Sequence, residues 1–530
     1  MFFSDYHKYG IIELRLALVF VRAKLYLYYI KLTPNTQEMS LAKKIAHNTL
    51  IQIAGKIVST VLGLFSLALI TRYLGQTGFG EYTTIVTFLT FFAVIADLGL
   101  TLITVQMISG QKSDENKILN NLFSLRLVSA LFFLGLAPIT VIFFPYSAAV
   151  KIGVLIAAVS FVFPALNQVL VGLFQKKLNM DRSALAEVIS RVVLILGIIL
   201  TKKLDGGLVG ILITTIASSG ASFLLHYLLA LKFATVRFEF DLSLWKKIIN
   251  RSWPLAITIV LNLIYLRADT LILSLFRGPE VVGLYGAAYK IIDVLTTLPF
   301  MFAGLILPIL TAAWLENNKT YFKKVLQKSF DVMAIVAIPL VIGAQFLGKP
   351  VMLFVAGNDF ILAGDILKIL IFAVAAIFLG TMFSHAVIAI DKQKKMIGFY
   401  VFTSISSLAA YLYLIPRYSY IGAASVTIYS EVLIAIFSAY CIFKYSRFLP
   451  SLITFLKALL AGVIMGAFIY FCPMSYQTTL WSLLLIIILA SLIYFLALFL
   501  LGGIDPEDIR PIFKKQAKGG GQTYDPGINF

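Results

Sequence analysis

The 530 residues are 60% hydrophobic and only 13% charged, with a mean hydropathy of +0.94. Soluble chains average about 25% charged residues, so a soluble globule is excluded. The formal net charge of +19 does not call for nucleic acid, because basic residues gathered in links on one side of a membrane account for it.

The first 38 residues stand apart. Positions 11–32 are apolar on average but interrupted by Glu13, Arg15, Arg22, Lys24 and Lys31, too charged for a span and without the clean apolar core of a signal peptide. The stretch is read as an extension of unknown role or a misassigned start, with Met39 opening the ordinary part of the chain. From there, apolar segments of about 20 residues recur to Leu501, the mark of a polytopic helical membrane protein. The expected spans are 48–73, 79–109, 118–144, 148–174, 183–201, 207–231, 253–276, 281–314, 329–348, 361–390, 396–415, 419–443, 452–472 and 479–502. The tail over 505–530, with its Gly triplet, reads as disordered. Cys441 and Cys472 lie in apolar segments and the four His are scattered, so no disulfide framework, metal centre or cofactor is expected.

Charge assigns sides. Links at 110–117, 175–182, 232–251, 316–328, 391–395 and 444–447 hold most of the Lys and Arg between the spans. The alternate links hold little beyond Lys151, Lys202, Lys203, Arg277, Lys349 and Arg417. The positive-inside rule makes the first set cytoplasmic, and an even number of spans places both termini on that side of the cell membrane.

An internal repeat is visible. At a shift of 203, Gly75, Gly80 and Tyr82 fall on Gly278, Gly283 and Tyr285. At a shift of 212, Gly210, Thr215, Ile216 and Ser218 fall on Gly422, Thr427, Ile428 and Ser430. The expected fold is therefore all-α, with about 14 transmembrane helices: two pseudo-repeated six-helix lobes plus two C-terminal helices. The boundaries follow: an extension over 1–38, an N-lobe over 39–240, a C-lobe over 241–447, two further spans within 448–504, and a cytoplasmic tail over 505–530. The glycines are expected to serve tight turns and close backbone approach, and Tyr82 and Tyr285 to anchor the membrane interface.

The run NTLIQIAGKIVSTVLGLFSLALITRYLGQTGFGEY followed by ADLGL, together with Pro254, Asp269, GPEVVGLYGAAYKIIDVLTTLP and Pro308, resembles bacterial polysaccharide-transport flippases of the Wzx type. These belong to the multidrug/oligosaccharidyl-lipid/polysaccharide exporter superfamily. The resemblance covers about 40–502. It implies alternating access between two lobes and a polyprenyl-pyrophosphate-linked oligosaccharide as cargo, moved from the inner to the outer leaflet for cell-surface polysaccharide synthesis. Membrane lipids, a polysaccharide polymerase and glycosyltransferases are the partners it suggests.

Charges inside the spans point to the function, since an ionised group at the bilayer centre costs at least about 2.5–3.5 kcal/mol. Lys56, Arg126 and Arg191 lie eight or nine residues from the cytoplasmic ends of their spans, and Arg267 and Lys290 a comparable distance from the outer ends. These five are the candidate cavity cations that would hold phosphates. Asp97, Asp269, Asp293 and Glu431 are the candidates for coupling-cation or proton binding. Plainer readings compete. Glu187 and Arg191 are spaced for an i,i+4 ion pair, Lys290 and Asp293 for an i,i+3 pair, and Lys56 and Arg126 could snorkel to the interface. Arg267 and Asp269 point to different faces and need partners on other helices.

No Walker-type loop or catalytic constellation occurs, so a transporter and not an enzyme is expected. A multidrug or cation exporter of the same superfamily, a lipid II flippase, or a non-transporting membrane scaffold are the alternatives. The first would line its cavity with acids and aromatics in place of Lys and Arg.

Overall fold

The computed structural model describes residues 41–108, 115–472 and 479–504. The readings made for the extension over 1–38 and the tail over 505–530 lie outside the described residues. The described chain is helical: α1 (Leu41–Asp97), α2 (Leu100–Ile108), α3 (Glu115–Val141), α4 (Ala148–Lys176), α5 (Met180–Lys203), α6 (Gly207–Ala230), α7 (Leu242–Phe276), α8 (Pro279–Leu315), α9 (Lys319–Ala356), α10 (Ala363–Ala389), α11 (Gln393–Ser446), α12 (Ile453–Phe471) and α13 (Leu480–Leu500).

Twelve of these helices are long and apolar enough to cross a membrane, which makes this a multi-pass membrane protein. Two of the twelve are double. The apolar part of α1 spans 47 residues and α11 has 54, about 70 and 80 Å at 1.5 Å per residue, against a hydrocarbon core of about 30 Å. Each is broken at one residue in left-handed backbone, Gly75 (φ 64°) in α1 and Ser419 (φ 54°) in α11. In α11 the two arms pack antiparallel, since Tyr411 meets Thr427 at 3.2 Å and the Tyr429 hydroxyl donates to Ser406 at 3.2 Å. Counting each arm as a crossing gives the fourteen spans expected. The second crossing is itself interrupted at Leu98 and Gly99, both at positive φ, and α2 completes it.

Without water between helices, packing and buried hydrogen bonds carry the assembly. The C-lobe core is organised on α10, the most enclosed span, which packs on α8, α9 and α11. In the N-lobe, two cores form, one around Phe123, Leu170 and Phe174 toward the basic links, the other around Ile85, Leu89 and Leu212. The last two helices dock on α9, where the Tyr494 hydroxyl donates to the Ile335 carbonyl at 2.8 Å.

The lobes meet along a seam on the face opposite the basic links. Thr77 donates to Glu280 at 2.9 Å. A methyl on Gly80 would lie 1.7 Å from the Pro279 carbonyl oxygen, one on Gly283 2.3 Å from that of Gln76, and one on Gly286 2.6 Å from the Thr83 methyl. Thr77 and Glu280, Gly80 and Gly283, Thr83 and Gly286 are each separated by 203 positions, the repeat shift. Residues touch their own symmetry mates only beside a twofold axis, so a pseudo-twofold axis relates the lobes and passes through this seam. Around it, Arg72 donates to the Phe354 carbonyl at 2.6 Å, Gln76 to that of Asp359, and Phe79 meets Phe360 edge-on. The glycines thus serve a turn (Gly75) and a backbone-to-backbone approach (Gly80, Gly283), which is why no side chain stands there.

Candidate functional site

Midway along the cleft between the lobes, α7 and α8 of the C-lobe bring three charges together. Arg267 forms an ion pair with Asp293, and its guanidinium lies 4.6 Å from the centre of the Tyr289 ring. Lys290 reaches the other Asp293 oxygen at 3.8 Å. Arg191, from α5 of the N-lobe, is exposed beside Gly63 and within electrostatic reach of Lys290 and Tyr82. Three cations thus face one carboxylate, and Arg191 has no ionic or hydrogen-bonding partner among the described residues. The i,i+4 pair of Arg191 with Glu187 is not formed. Such a pair contributes only about 0.3–0.5 kcal/mol, too little to draw two groups from a watery cleft.

One turn of α5 toward the basic links, Glu187 lines a cavity of about 480 Å³ with Lys56, Gln52, Gln175 and Ser183 on the N-lobe side and Phe300 on α8. Lys56 is exposed in this cavity, and neither it nor Glu187 is ion-paired among the described residues. The expected two layers are therefore redrawn. Arg191 joins the C-lobe cations in a central cluster, and Lys56 stands nearer the mouth.

Arg126 is placed differently from the other candidates. It neither snorkels nor faces the cleft, being 4% exposed. Its carboxylate partner is Asp97, and it also donates to the Asp97 carbonyl at 2.8 Å, the Ala165 carbonyl at 3.0 Å and the Thr101 hydroxyl at 3.2 Å. These bonds close the broken end of α1, where a free carbonyl inside a bilayer is costly. Thr101 donates in turn to the Asp97 carboxylate. In this conformation the pair is internal to the N-lobe.

The remaining acids are buried in the C-lobe wall. Asp269 is fully enclosed, and its carboxylate accepts from the Tyr285 hydroxyl at 2.6 Å, the Thr427 hydroxyl at 3.1 Å and the Thr270 amide at 2.5 Å. Tyr285 is therefore an interior ligand of this carboxylate and not an interfacial anchor. Tyr82, its repeat mate, is half-buried and packs against the core around Ile85. Glu431 lies one turn beyond Thr427, within electrostatic reach of Tyr265, Tyr400 and Tyr411. One Glu431 oxygen and the hydroxyls of Thr403 and Ser407 are buried without hydrogen-bond partners. Spacing along α11 marks Thr403 and Ser407 as one face, but their register against Glu431 depends on how the chain turns at Ser419, in the link expected between spans 396–415 and 419–443.

A second hollow of about 350 Å³ runs along the outside of the C-lobe between α8, α9, α10, α12 and α13. Ile291 and Leu295 line it at the depth of Lys290 and Asp293, with Pro339, Leu347, Ile487 and Phe495. It is an almost wholly apolar groove.

Residues 45–314 match the family described as "Polysaccharide biosynthesis protein", slightly more than half of the chain. The chain belongs to this family. A "Putative O-antigen transporter" of Shigella dysenteriae is 27% identical over 198 residues, 36% of this chain, and the match spans 47% of that protein, about half its length. Among solved structures, the lipid II flippase MurJ in an inward closed conformation superposes with a TM-score of 0.69 at 19% identity, covering 87% of this chain and 100% of that one. An inward-facing multidrug resistance MATE family transporter of the MOP superfamily superposes with a TM-score of 0.61 at 17% identity, covering 75% and 97%. At these identities the likeness shows the shared all-helical, two-lobed fold.

Proposed function

We propose that the protein is a flippase that carries a polyprenyl-pyrophosphate-linked oligosaccharide from the cytoplasmic to the outer leaflet of the cell membrane by alternating access. The observation that carries this reading is the surplus of positive charge in the cleft, where Arg191, Arg267 and Lys290 gather around Asp293, the one carboxylate ion-paired there. Such a surplus suits a diphosphate, which Arg and Lys hold by charge-assisted hydrogen bonds. Pyrophosphate and sugar cannot cross hydrocarbon unaided, while a polar cleft shields them and the lipid tail stays outside. The parts lie in the order such a molecule needs. The apolar groove runs at the depth of the central cations, and the cavity that holds Lys56 and Glu187 opens one turn nearer the mouth.

In this reading the basic links and both termini are cytoplasmic, and the seam at Gly80 and Gly283 closes the outer face. Asp269 and Glu431 are the acids proposed to bind a coupling cation or proton, because they are buried in the moving lobe and neither forms an ion pair among the described residues, Asp269 being within electrostatic reach of Arg267 only. Asp97 and Asp293 are engaged by arginines. A polysaccharide polymerase and glycosyltransferases are the proposed neighbours in the membrane. The test is leaflet translocation in proteoliposomes holding the purified chain and a fluorescent polyprenyl-pyrophosphate-linked saccharide. ATP-independent movement is expected, and its loss when Arg191 and Lys290 are both changed to Gln. Extrusion of organic cations with no movement of the lipid-linked sugar would overturn the proposal in favour of a multidrug exporter.

A further inference from the structure

The cleft holds two polar zones of different charge, and the difference bears on the cargo. At the centre the cations outnumber the acids, with Arg267 and Lys290 sharing Asp293 and Arg191 beside them. In the cavity nearer the mouth one ammonium, Lys56, is balanced by one carboxylate, Glu187, and the other polar walls are neutral: Gln52, Gln175 and Ser183. Glu187 lies one helical turn from Arg191, about 6 Å along the axis, yet is not paired with it. The Ser183 hydroxyl is held from behind by the buried His226, whose Nε2 lies 3.2 Å away. A carboxylate, amides and a hydroxyl supply both acceptors and donors on a lining that is otherwise apolar, with Ile53, Val171 and Leu305 beside them and the Phe300 ring opposite, in a cavity of ordinary ligand size. Phosphate needs donors alone, so this wall is built for hydroxyl groups.

We infer that the cavity lined by Lys56 and Glu187 is a saccharide subsite for uncharged sugars, and that the balance of these two side chains sets its tolerance for acidic ones. The inference rests on the flippase reading above and adds the charge class of the sugars next to the pyrophosphate. A uronate placed there gains Lys56 but meets Glu187, and like charges brought together out of water penalise the wrong partner. The two residues therefore act as opposing weights on selectivity. Neutralising Glu187 leaves the subsite cationic, and neutralising Lys56 leaves it anionic.

The experiment compares two probes in proteoliposomes: a polyprenyl-pyrophosphate-linked neutral hexose disaccharide, and the same molecule with one hexose replaced by glucuronic acid. The readout is the ratio of the uronate rate to the neutral rate, which a loss of folded protein leaves unmoved. Glu187→Gln is expected to raise this ratio about tenfold, and Lys56→Gln to lower it by a similar factor. Both changes keep side-chain size at partly exposed positions. Shifts of opposite sign support the subsite. Ratios that stay at the wild-type value, or move together, overturn it while leaving the flippase reading intact. Movement of neither probe by the wild-type chain sinks that reading, and this assignment with it.

Discussion

At positions related by the repeat, the two lobes place different chemistry on the same frame. Asp269, Lys290, Asp293 and Glu431 of the C-lobe correspond to Ser66, Thr87, Thr90 and Ser219 of the N-lobe. In the N-lobe the corresponding hydroxyls turn to their own helix: Thr215 donates to the Ile211 carbonyl at 2.9 Å and Ser66 to the Leu62 carbonyl at 2.8 Å. In the C-lobe Asp269 stands between Tyr285 and Thr427 and accepts from both. The N-lobe does bury a charge pair of its own, but Arg126 and Asp97 satisfy one another and fasten a broken helix. The architecture thus folds with neutral groups at these positions. The charges of the C-lobe are additions to the frame, and additions that cost solvation point to function.

Returning the C-lobe to the N-lobe pattern is the change with the largest expected effect. Asp269→Ser removes the carboxylate that accepts from the buried Tyr285 hydroxyl, while Thr427 keeps the Ala423 carbonyl at 3.0 Å and the Tyr411 hydroxyl at 3.2 Å. The variant is expected to lose about 1–3 kcal/mol of stability, the cost of one buried hydroxyl left unpaired, read from unfolding in detergent, and at least about tenfold in lipid-linked sugar translocation. Full activity in Asp269→Ser would show that the asymmetry between the lobes has no functional meaning.

Where the lobes are alike, substitutions should act alike. Gly80→Ala and Gly283→Ala each drive a methyl into backbone across the twofold seam, which cannot give way as a flexible side chain can. Both are expected to hold the outer face open, shifting the equilibrium by at least about tenfold, or about 1.4 kcal/mol. Gly80→Ala is expected to act at least as strongly, having the closer approach. A cysteine pair at Thr77 and Glu280 reports closure through its oxidation yield. Yields that fall in both variants support a shared gate. A fall in one alone would break the symmetry argument.

What could be read from the chain and what could not divide along sequence distance. The crossings and the repeat are local or periodic properties, and α1 through α13 follow them, down to the double helices α1 and α11. Gly75 and Gly80 were legible because the repeat showed them twice. Partners were not legible, since Arg126 meets residues 25 to 39 positions away and Asp269 meets Thr427 at 158. Spacing misled for Glu187 and Arg191, where i,i+4 proximity on one helix is outweighed by hydration in the cleft. Tyr285 was misplaced for a related reason. A tyrosine near a span end has a polar handle that suits the interface, unless a buried carboxylate such as Asp269 offers a stronger partner.

The smallest expected effect concerns the link that joins the lobes. Every second residue of this extended segment donates its amide to α3: Arg237 to Asn120 at 3.0 Å, Glu239 to Ser124 at 2.8 Å and Asp241 to Asn121 at 2.8 Å. Asp241 then caps α7 through the Leu244 amide and pairs with Lys117 at 2.8 Å. The hydrogen bonds from Lys117, Ser243 and the Leu244 amide hold the Asp241 carboxyl well below the usual carboxylate range. A depressed value in the folded state means that the carboxylate adds stability at pH above its unfolded value of about 3.9. That contribution fades as the pH falls below about 4 toward the folded-state value. Asp241 is partly exposed, so solvent screens much of the effect and only a small slope is expected. Thermal unfolding of the wild type and of Asp241→Asn should differ at pH 7 and converge as the pH falls from 4 toward 2. Parallel curves throughout that range would show that the link is held by Asn120, Asn121 and Ser124 of α3 alone. The two lobes would then be fastened by neutral hydrogen bonds, as the N-lobe is at the positions where the C-lobe carries charge.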